Sequence, residues 1–246
     1  RLTDVTGVQT CALPISPFVP WVAPLARRLF GLRYGLVVLD LYPDVMERMG
    51  LIRTGGLAAR ILRRLSAASL RGADCVVTLG ECMKRTLQCH LRPDEPLGIH
   101  IIPGSANTAT MRPVPRAANR FSLRHGLEDK FVVMYSGSFG ATHDLGTVVE
   151  AAAALRHLPD VRVVMIGGGT CERELRAQAA ERALPNLVLL PWQPAGDLHH
   201  SLAAADCHIV TLSARYGGVS IPSKTYTALA VGAALQGAII AGEKDD

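Results

Sequence analysis

Phe131-Val132-Val133-Met134-Tyr135-Ser136-Gly137-Ser138-Phe139-Gly140 is the stretch that decides the fold. Five apolar residues in succession, mostly β-branched or aromatic, run straight into a Ser/Gly turn. A helical pattern follows, from about Leu145 to His157. An unbroken apolar run of this length reads as a strand covered on both faces, as in a parallel sheet. The unit then repeats along the chain. Val161 to Ile166 enters Gly167-Gly168-Gly169, and a helix spans roughly Cys171 to Ala183. Asn186 to Leu190 leads into Pro191-Trp192-Gln193-Pro194, followed by a short helix near Asp197 to Ala204 and a strand from Cys207 to Thr211. A further helix is expected from Pro222 to about Val231, then one last apolar run, Ala238 to Ala241. Strands alternating with helices predict an α/β protein built on parallel sheets.

The rhythm also holds before residue 131. Gly35-Leu36-Val37-Val38-Leu39 reads as a buried strand ending at the polar turn Asp40-Leu41-Tyr42-Pro43-Asp44. Ligands of open α/β sheets bind at such strand ends. A helix over 56–70 places Leu57, Ile61, Leu62 and Leu65 on one side and Arg60, Arg63 and Arg64 towards another. Strands at 75–79 and 99–102 flank a helix from about Glu81 to Cys89, and the Pro/Gly/Ser/Asn stretch from Pro103 to Pro115 reads as a linker. The expected division is a partial N-terminal domain over 17–107 and a C-terminal domain over 108–246 that is incomplete at its end. Val5 to Ile15 resembles the in-frame translation of a sequencing-library adapter, so residues 1–16 are set apart as non-native and the chain is read as a fragment.

The chain has 246 residues, of which 49% are hydrophobic, enough for a sizeable core. No apolar run reaches the roughly 18 residues that a membrane span requires. The six cysteines form no CxxC pair, and Cys75, Cys82, Cys89, Cys171 and Cys207 read as buried reduced thiols. Residues 17–126 hold 16 Lys/Arg against 7 Asp/Glu, a net +9, whereas residues 127–246 carry −4. A basic first half suits phosphates or anionic lipid headgroups, and equally a solvated Arg-rich helix face.

Two glycine turns follow strands directly, at Gly137 and at Gly167. Glycine lets a backbone approach a phosphate closely, and the helix after it offers free N–H groups. Neither turn matches a dinucleotide fingerprint, because Phe139 and Glu172 stand where glycines are needed, and GxxxxGK[ST] is absent. The run Gly217-Gly218-Val219-Ser220-Ile221-Pro222-Ser223-Lys224 carries more. With Pro222 opening a helix, Ser223 and Lys224 fall in its first turn, where a cation opposes the helix dipole. A bound anion resolves that conflict, so the run reads as a phosphate site. A solvent-facing lysine is the alternative.

Taken together, Ile101-Ile102-Pro103-Gly104, Tyr135 to Gly140, His143-Asp144-Leu145, Ile166 to Gly169, Leu190 to Pro194, Leu202 to Asp206 and Ile221 to Tyr226 resemble the donor domain of glycosyltransferase family 4. The likeness is strongest to a WbuB-like bacterial polysaccharide subgroup, whose N-terminal DLWPE-like turn is similar to Asp40 to Asp44. The resemblance implies a GT-B fold of two Rossmann-like domains, both truncated here. It implies a retaining transfer of a sugar (hexosyltransferase type) from a nucleoside diphosphate sugar, a UDP-sugar by preference, to a lipid-linked or polysaccharide acceptor in cell-surface glycan synthesis. Gly137, Ser138 and Gly140 would approach the diphosphate, Ser223 and Lys224 would grip it, Trp192 and Gln193 would lie near the base, and Tyr226 and Thr227 near the ribose. No metal and no cofactor is expected, and no nucleic-acid partner. A cytoplasmic enzyme peripheral on the inner face of the membrane is implied.

The sequence departs from the family at three places. A glutamate pair eight positions apart is replaced by Val219 and Thr227, an Arg/Lys pair is absent after the first donor strand, and Ala233-Ala234-Leu235 replaces a basic-Pro step. Lys224 is left as the one obvious diphosphate cation. Asp40 and Lys224 are the catalytic candidates, with Asp40 able to orient an acceptor hydroxyl, while Asp44 reads as a helix cap. The alternatives are a nucleotide-sugar epimerase on the same plan, for which His143, His199, His200 and His208 show no obvious cluster, or an inert Rossmann-like fragment. On its own this stretch is expected to be inactive.

Overall fold

The computed structural model describes residues 18–91, 97–140 and 142–240. The adapter-like segment and the end of the last apolar run, Ala241, lie outside the described residues. The chain divides into two units, one up to Ile101 and one from Ile102.

The first unit runs α1 (Val19–Phe30), β1 (Gly35–Val38), α2 (Asp44–Arg48), α3 (Leu57–Gly72), β2 (Cys75–Thr78), α4 (Glu81–Gln88) and β3 (Ile99–Ile101). Its strands form one parallel sheet in the order β1-β2-β3, with Leu36 opposite Val76 and Val77 opposite His100. Helix α1 packs on α3, and the Trp21 indole donates to the Ser66 hydroxyl at 2.9 Å. Of the apolar side of α3, Leu57, Ile61 and Leu65 are exposed and Leu62 is half-buried, while Ala59, Ala67, Ser69 and Leu70 are buried. The helix packs through its small residues because α1 lies close against it. Val22, Leu25 and Leu29 of α1 and Val37 of β1 are exposed too.

The second unit runs α5 (Arg120–His125), β4 (Phe131–Ser136), α6 (Gly146–Ala154), β5 (Val161–Ile166), α7 (Glu172–Glu181), β6 (Leu187–Leu190), α8 (Leu198–Leu202), β7 (Cys207–Ser213), α9 (Lys224–Ala230) and β8 (Ala234–Ile240). All pairings in its sheet are parallel, in the order β6-β5-β4-β7-β8. The two-residue period of the strands sorts β4 and β5 between two cores. Tyr135, Val163 and Met165 pack with Phe139, Val148, Val149, Ala152 and Leu175 on one face. Val132, Met134, Val164 and Ile166 pack with Phe121, Leu127 and Ala204 on the other. Helix α5, which the sequence pattern did not mark, is started by Asn119: its carboxamide oxygen accepts from the Phe121 and Ser122 amides, and its nitrogen donates to the His200 carbonyl. The Asp206 carboxylate accepts from the Val132 amide at 2.7 Å and from Arg116 at 2.5 Å, which pins the start of β4.

Two sequence expectations are corrected. Cys75, Cys82 and Cys89 are exposed and Cys171 and Cys207 half-buried, because the elements that carry them turn other residues inward. Helix α9 begins at Lys224 with Ser223 at its cap position, so Pro222 stands just outside.

Candidate functional site

In the second sheet the chain works outward from β4 through β5 to β6, then returns to lay β7 on the other side of β4. Loops leaving the carboxyl ends of β4 and β7 therefore part in opposite directions and leave a crevice. In open α/β sheets that crevice is where ligands bind. Strand β4 empties into the Gly137 turn. Strand β7 leads through Ala214–Tyr216 and Gly217-Gly218 to Lys224.

The two glycine turns interlock. The Gly137 amide donates to the Ile166 carbonyl at 2.9 Å and the Phe139 amide to the Gly168 carbonyl at 3.0 Å. The alternate amides, of Ser138 and Gly140, hold no hydrogen bond among the described residues and remain available as donors. A Cβ on Gly167 would stand 1.9 Å from the Gly137 carbonyl oxygen. The loops can meet only because both positions lack a side chain.

Lys224 threads across the first turn. A Cβ on Gly137, whose φ is +154°, would lie 2.0 Å from Lys224 Cε. The ammonium donates to the Tyr135 hydroxyl at 2.6 Å and sits 4.3 Å from the centre of its ring. The Tyr135 hydroxyl in turn donates to the Ser138 carbonyl at 2.7 Å. On the other side His143 Nε2 lies 3.4 Å from Lys224 Nζ, while Nδ1 is 2.8 Å from the Thr211 carbonyl of β7. Among the described residues, no carboxylate comes within 4 Å of Lys224. Burial lowers its pKa to about 8 and raises that of Tyr135. Burial, and then the Lys224 charge, holds His143 below its ordinary value. The arrangement is a poised cation with open amides beside it, the equipment for holding a multiply charged anion.

The other expected residues are placed as follows. Trp192 is exposed, and its Nε1 would stand 3.2 Å from a Cβ on Gly168, so the indole adjoins the second glycine turn. The Gln193 amide nitrogen donates to the Pro191 carbonyl at 2.9 Å. Ser223 is exposed and caps nothing with its side chain. Tyr226 packs its ring on Gly104 (a Cβ there would be 2.3 Å away) and Thr227 turns its hydroxyl back to the Lys224 carbonyl at 2.9 Å. His143 is the residue that the sequence reading left out of the site. Its only signal was its place in the His143-Asp144-Leu145 segment.

Asp40 and Asp44 belong to the first unit. Asp40 is exposed at the end of β1, on the rim of a cavity of about 220 Å³ lined also by Trp21, Tyr42, Ser66 and His90. Asp44 is not the helix cap expected of it. It lies inside the first turn of α2, with Pro43 at the cap position. Its carboxylate instead stands 2.8 Å from His90 Nε2 and 3.8 Å from Arg63. Burial pushes its pKa up, but the His90 contacts and the Arg63 charge outweigh that and leave it lowered.

Residues 116–233 match the family described as Glycosyl transferases group 1. WbjE of Pseudomonas aeruginosa, described as a probable glycosyltransferase, is 26% identical over 84% of the chain and 51% of its own length. WcaI of Escherichia coli strain K12, whose description places it in colanic acid biosynthesis, is 28% identical over 85% of the chain and 51% of its own length. The chain thus spans about half the length of the curated relatives it matches. Among solved structures, HepE of Anabaena in complex with UDP-glucose superposes with a TM-score of 0.69 at 15% identity, covering 89% of this chain and 56% of that one. WaaG, a glycosyltransferase involved in lipopolysaccharide biosynthesis, gives 0.65 at 16%, covering 89% and 63%. The fold is that of the GT-B glycosyltransferases, with two parallel Rossmann-like sheets.

Proposed function

We propose that the second unit binds the donor of a retaining glycosyl transfer, a UDP-sugar, and that the parent protein passes the sugar to a lipid-linked or polysaccharide acceptor in cell-surface glycan synthesis. The observation that carries this reading is Lys224, a buried ammonium with no counter-carboxylate among the described residues, laid across Gly137 at the sheet's switch point. Breaking the sugar–phosphate bond leaves negative charge on the diphosphate. Lys224 and the open amides of Ser138 and Gly140 stand ready to take that charge, in a site already organised before the reaction. Because α9 is only seven residues long, the ammonium and the loop amides supply the positive potential, with little from the helix. Trp192 offers its indole to the base, and Gln193, Ser223, Tyr226 and Thr227 complete the donor site. Asp40 is the acceptor-side candidate. The basic first half suits contact with the membrane face that carries a lipid-linked acceptor.

The test has two parts. UDP titrated into the chain should quench or shift Trp192 fluorescence, with a calorimetric dissociation constant in the micromolar to millimolar range. The complete reading frame, given radiolabelled UDP-sugar and a lipid extract, should label the lipid. Free epimerised UDP-sugar in place of labelled lipid would favour the epimerase reading, and UDP binding without turnover an inert module.

A further inference from the structure

The donor reading leaves one question at the site: what keeps a flexible lysine pointed across the Gly137 turn when no diphosphate is present. Tyr135 supplies one partner, an oxygen that accepts from the ammonium while its hydrogen goes to the Ser138 carbonyl. The second partner is the His143 ring. It hangs from the loop after β4 and is tied to the other side of the crevice, since Nδ1 faces the Thr211 carbonyl of β7 at 2.8 Å. A carbonyl can only accept, so Nδ1 carries the hydrogen and Nε2 presents a lone pair. That lone pair faces Lys224 Nζ at 3.4 Å. The loop itself is fixed to β7 through the Ser213 amide and the Thr142 carbonyl, 3.1 Å apart. The neighbouring acid, Asp144, is occupied elsewhere: its carboxylate takes the Thr147 amide and hydroxyl, both at 3.1 Å.

We infer that His143 is a positioning residue for the donor site, an uncharged acceptor that holds the Lys224 ammonium over the Gly137 turn so that an incoming diphosphate finds it in place. The inference rests on the donor reading and adds a residue and a tautomer to it. A carboxylate here would neutralise the lysine and compete with the diphosphate. A neutral imidazole orients the ammonium and leaves its charge for the ligand. The arrangement also joins the two sides of the switch point, because the ring bridges a β4 loop to a β7 carbonyl.

The experiment compares His143→Gln and His143→Leu in the chain, with UDP as the probe. Glutamine keeps an acceptor oxygen, and leucine keeps the bulk alone. The expected result is UDP affinity within about twofold of wild type for H143Q and weakened roughly fivefold or more for H143L. Equal affinity for wild type and H143L overturns the inference, as does a loss in H143Q as deep as in H143L. A second measurement needs no His143 variant to fold. Nitrogen-15 NMR of the wild-type imidazole should show hydrogen on Nδ1 and none on Nε2 at pH 7.5, and Lys224→Met should raise the His143 pKa by removing the nearby cation. Hydrogen on Nε2, or a His143 titration unmoved by K224M, overturns it. A wild-type chain that ignores UDP counts against the donor reading, while the imidazole spectrum still decides whether His143 and Lys224 are coupled.

Discussion

Each unit buries a charged side chain against a histidine, and the two do so in opposite ways. In the first, Asp44 meets His90 at 2.8 Å and Arg63 at 3.8 Å, and Arg63 is shared with Glu47. The charges answer one another. In the second, Lys224 meets a hydroxyl and an imidazole, and no carboxylate among the described residues. A paired buried charge can be a structural fixture, whereas an unanswered one is an unfavourable element of the free protein that a ligand can relieve. The difference separates a cluster of paired charges from an ammonium that, on the proposed reading, a diphosphate would answer.

The comparison breaks or sharpens most at Lys224. Lys224→Met should weaken UDP binding roughly 10- to 100-fold, as loss of a charge-assisted contact does. The same change should stabilise the ligand-free chain at pH 7 by about 1–3 kcal/mol, since the buried ammonium is disfavoured there. The sign follows from the lowered pKa. Between about 8 and 10.5 the unfolded chain binds more protons than the folded one. Wild-type stability therefore rises through that window, and the advantage of K224M is complete below it and fades across it. Denaturant melts at pH 7 and pH 10, read on Trp192, check this. A destabilised K224M would mean that the lysine is a fixture after all.

Gly137→Ala comes next. The new Cβ meets Lys224 Cε at 2.0 Å on a backbone with φ of +154°. It should cost about 1–3 kcal/mol and displace the lysine, with UDP affinity falling about as far as in K224M. Calorimetry on the folded variant reads both. Smaller again is Asp44→Asn, expected to cost about 1 kcal/mol at pH 7. Because the Asp44 pKa is lowered, its contribution is present above its ordinary value of 3.8 and is lost as pH falls through the folded value. The variant should flatten the acid limb of the first unit's melt. Trp21 reports that unit alone once Trp192→Phe removes the other indole. Trp192→Phe itself should shift stability by less than about 0.5 kcal/mol, its ring being 58% exposed.

The architecture of the second unit was legible because a parallel strand buried on both faces writes itself as an unbroken apolar run. Each run from Phe131 to Thr211 became a strand within two residues of its expected bounds. The first unit was less legible. The stripe of Leu57, Ile61 and Leu65 has the period of a core face yet lies outside, since periodicity shows that a face is apolar and not what covers it. Helix α5 escaped notice because its six residues hang on one Asn119 cap. The glycine turns and Lys224 could be picked out as chemistry-bearing from their place after strands and before a helix. His143 could not, because its worth comes from the Thr211 carbonyl, 68 residues away in the chain.

By itself, then, the order of apolar runs, glycine turns and one misplaced lysine determined an α/β chain of parallel sheets and marked where an anion site was to be sought. Those are local properties of strand burial and backbone freedom. Only the tertiary structure decided which side chains lie beside that lysine, which amides of the Gly137 turn stay open, and that Asp44 belongs to an answered cluster. Each of those depends on which groups the crossover from β6 back to β7 brings within hydrogen-bonding distance, and distance is what sets the worth of a charge.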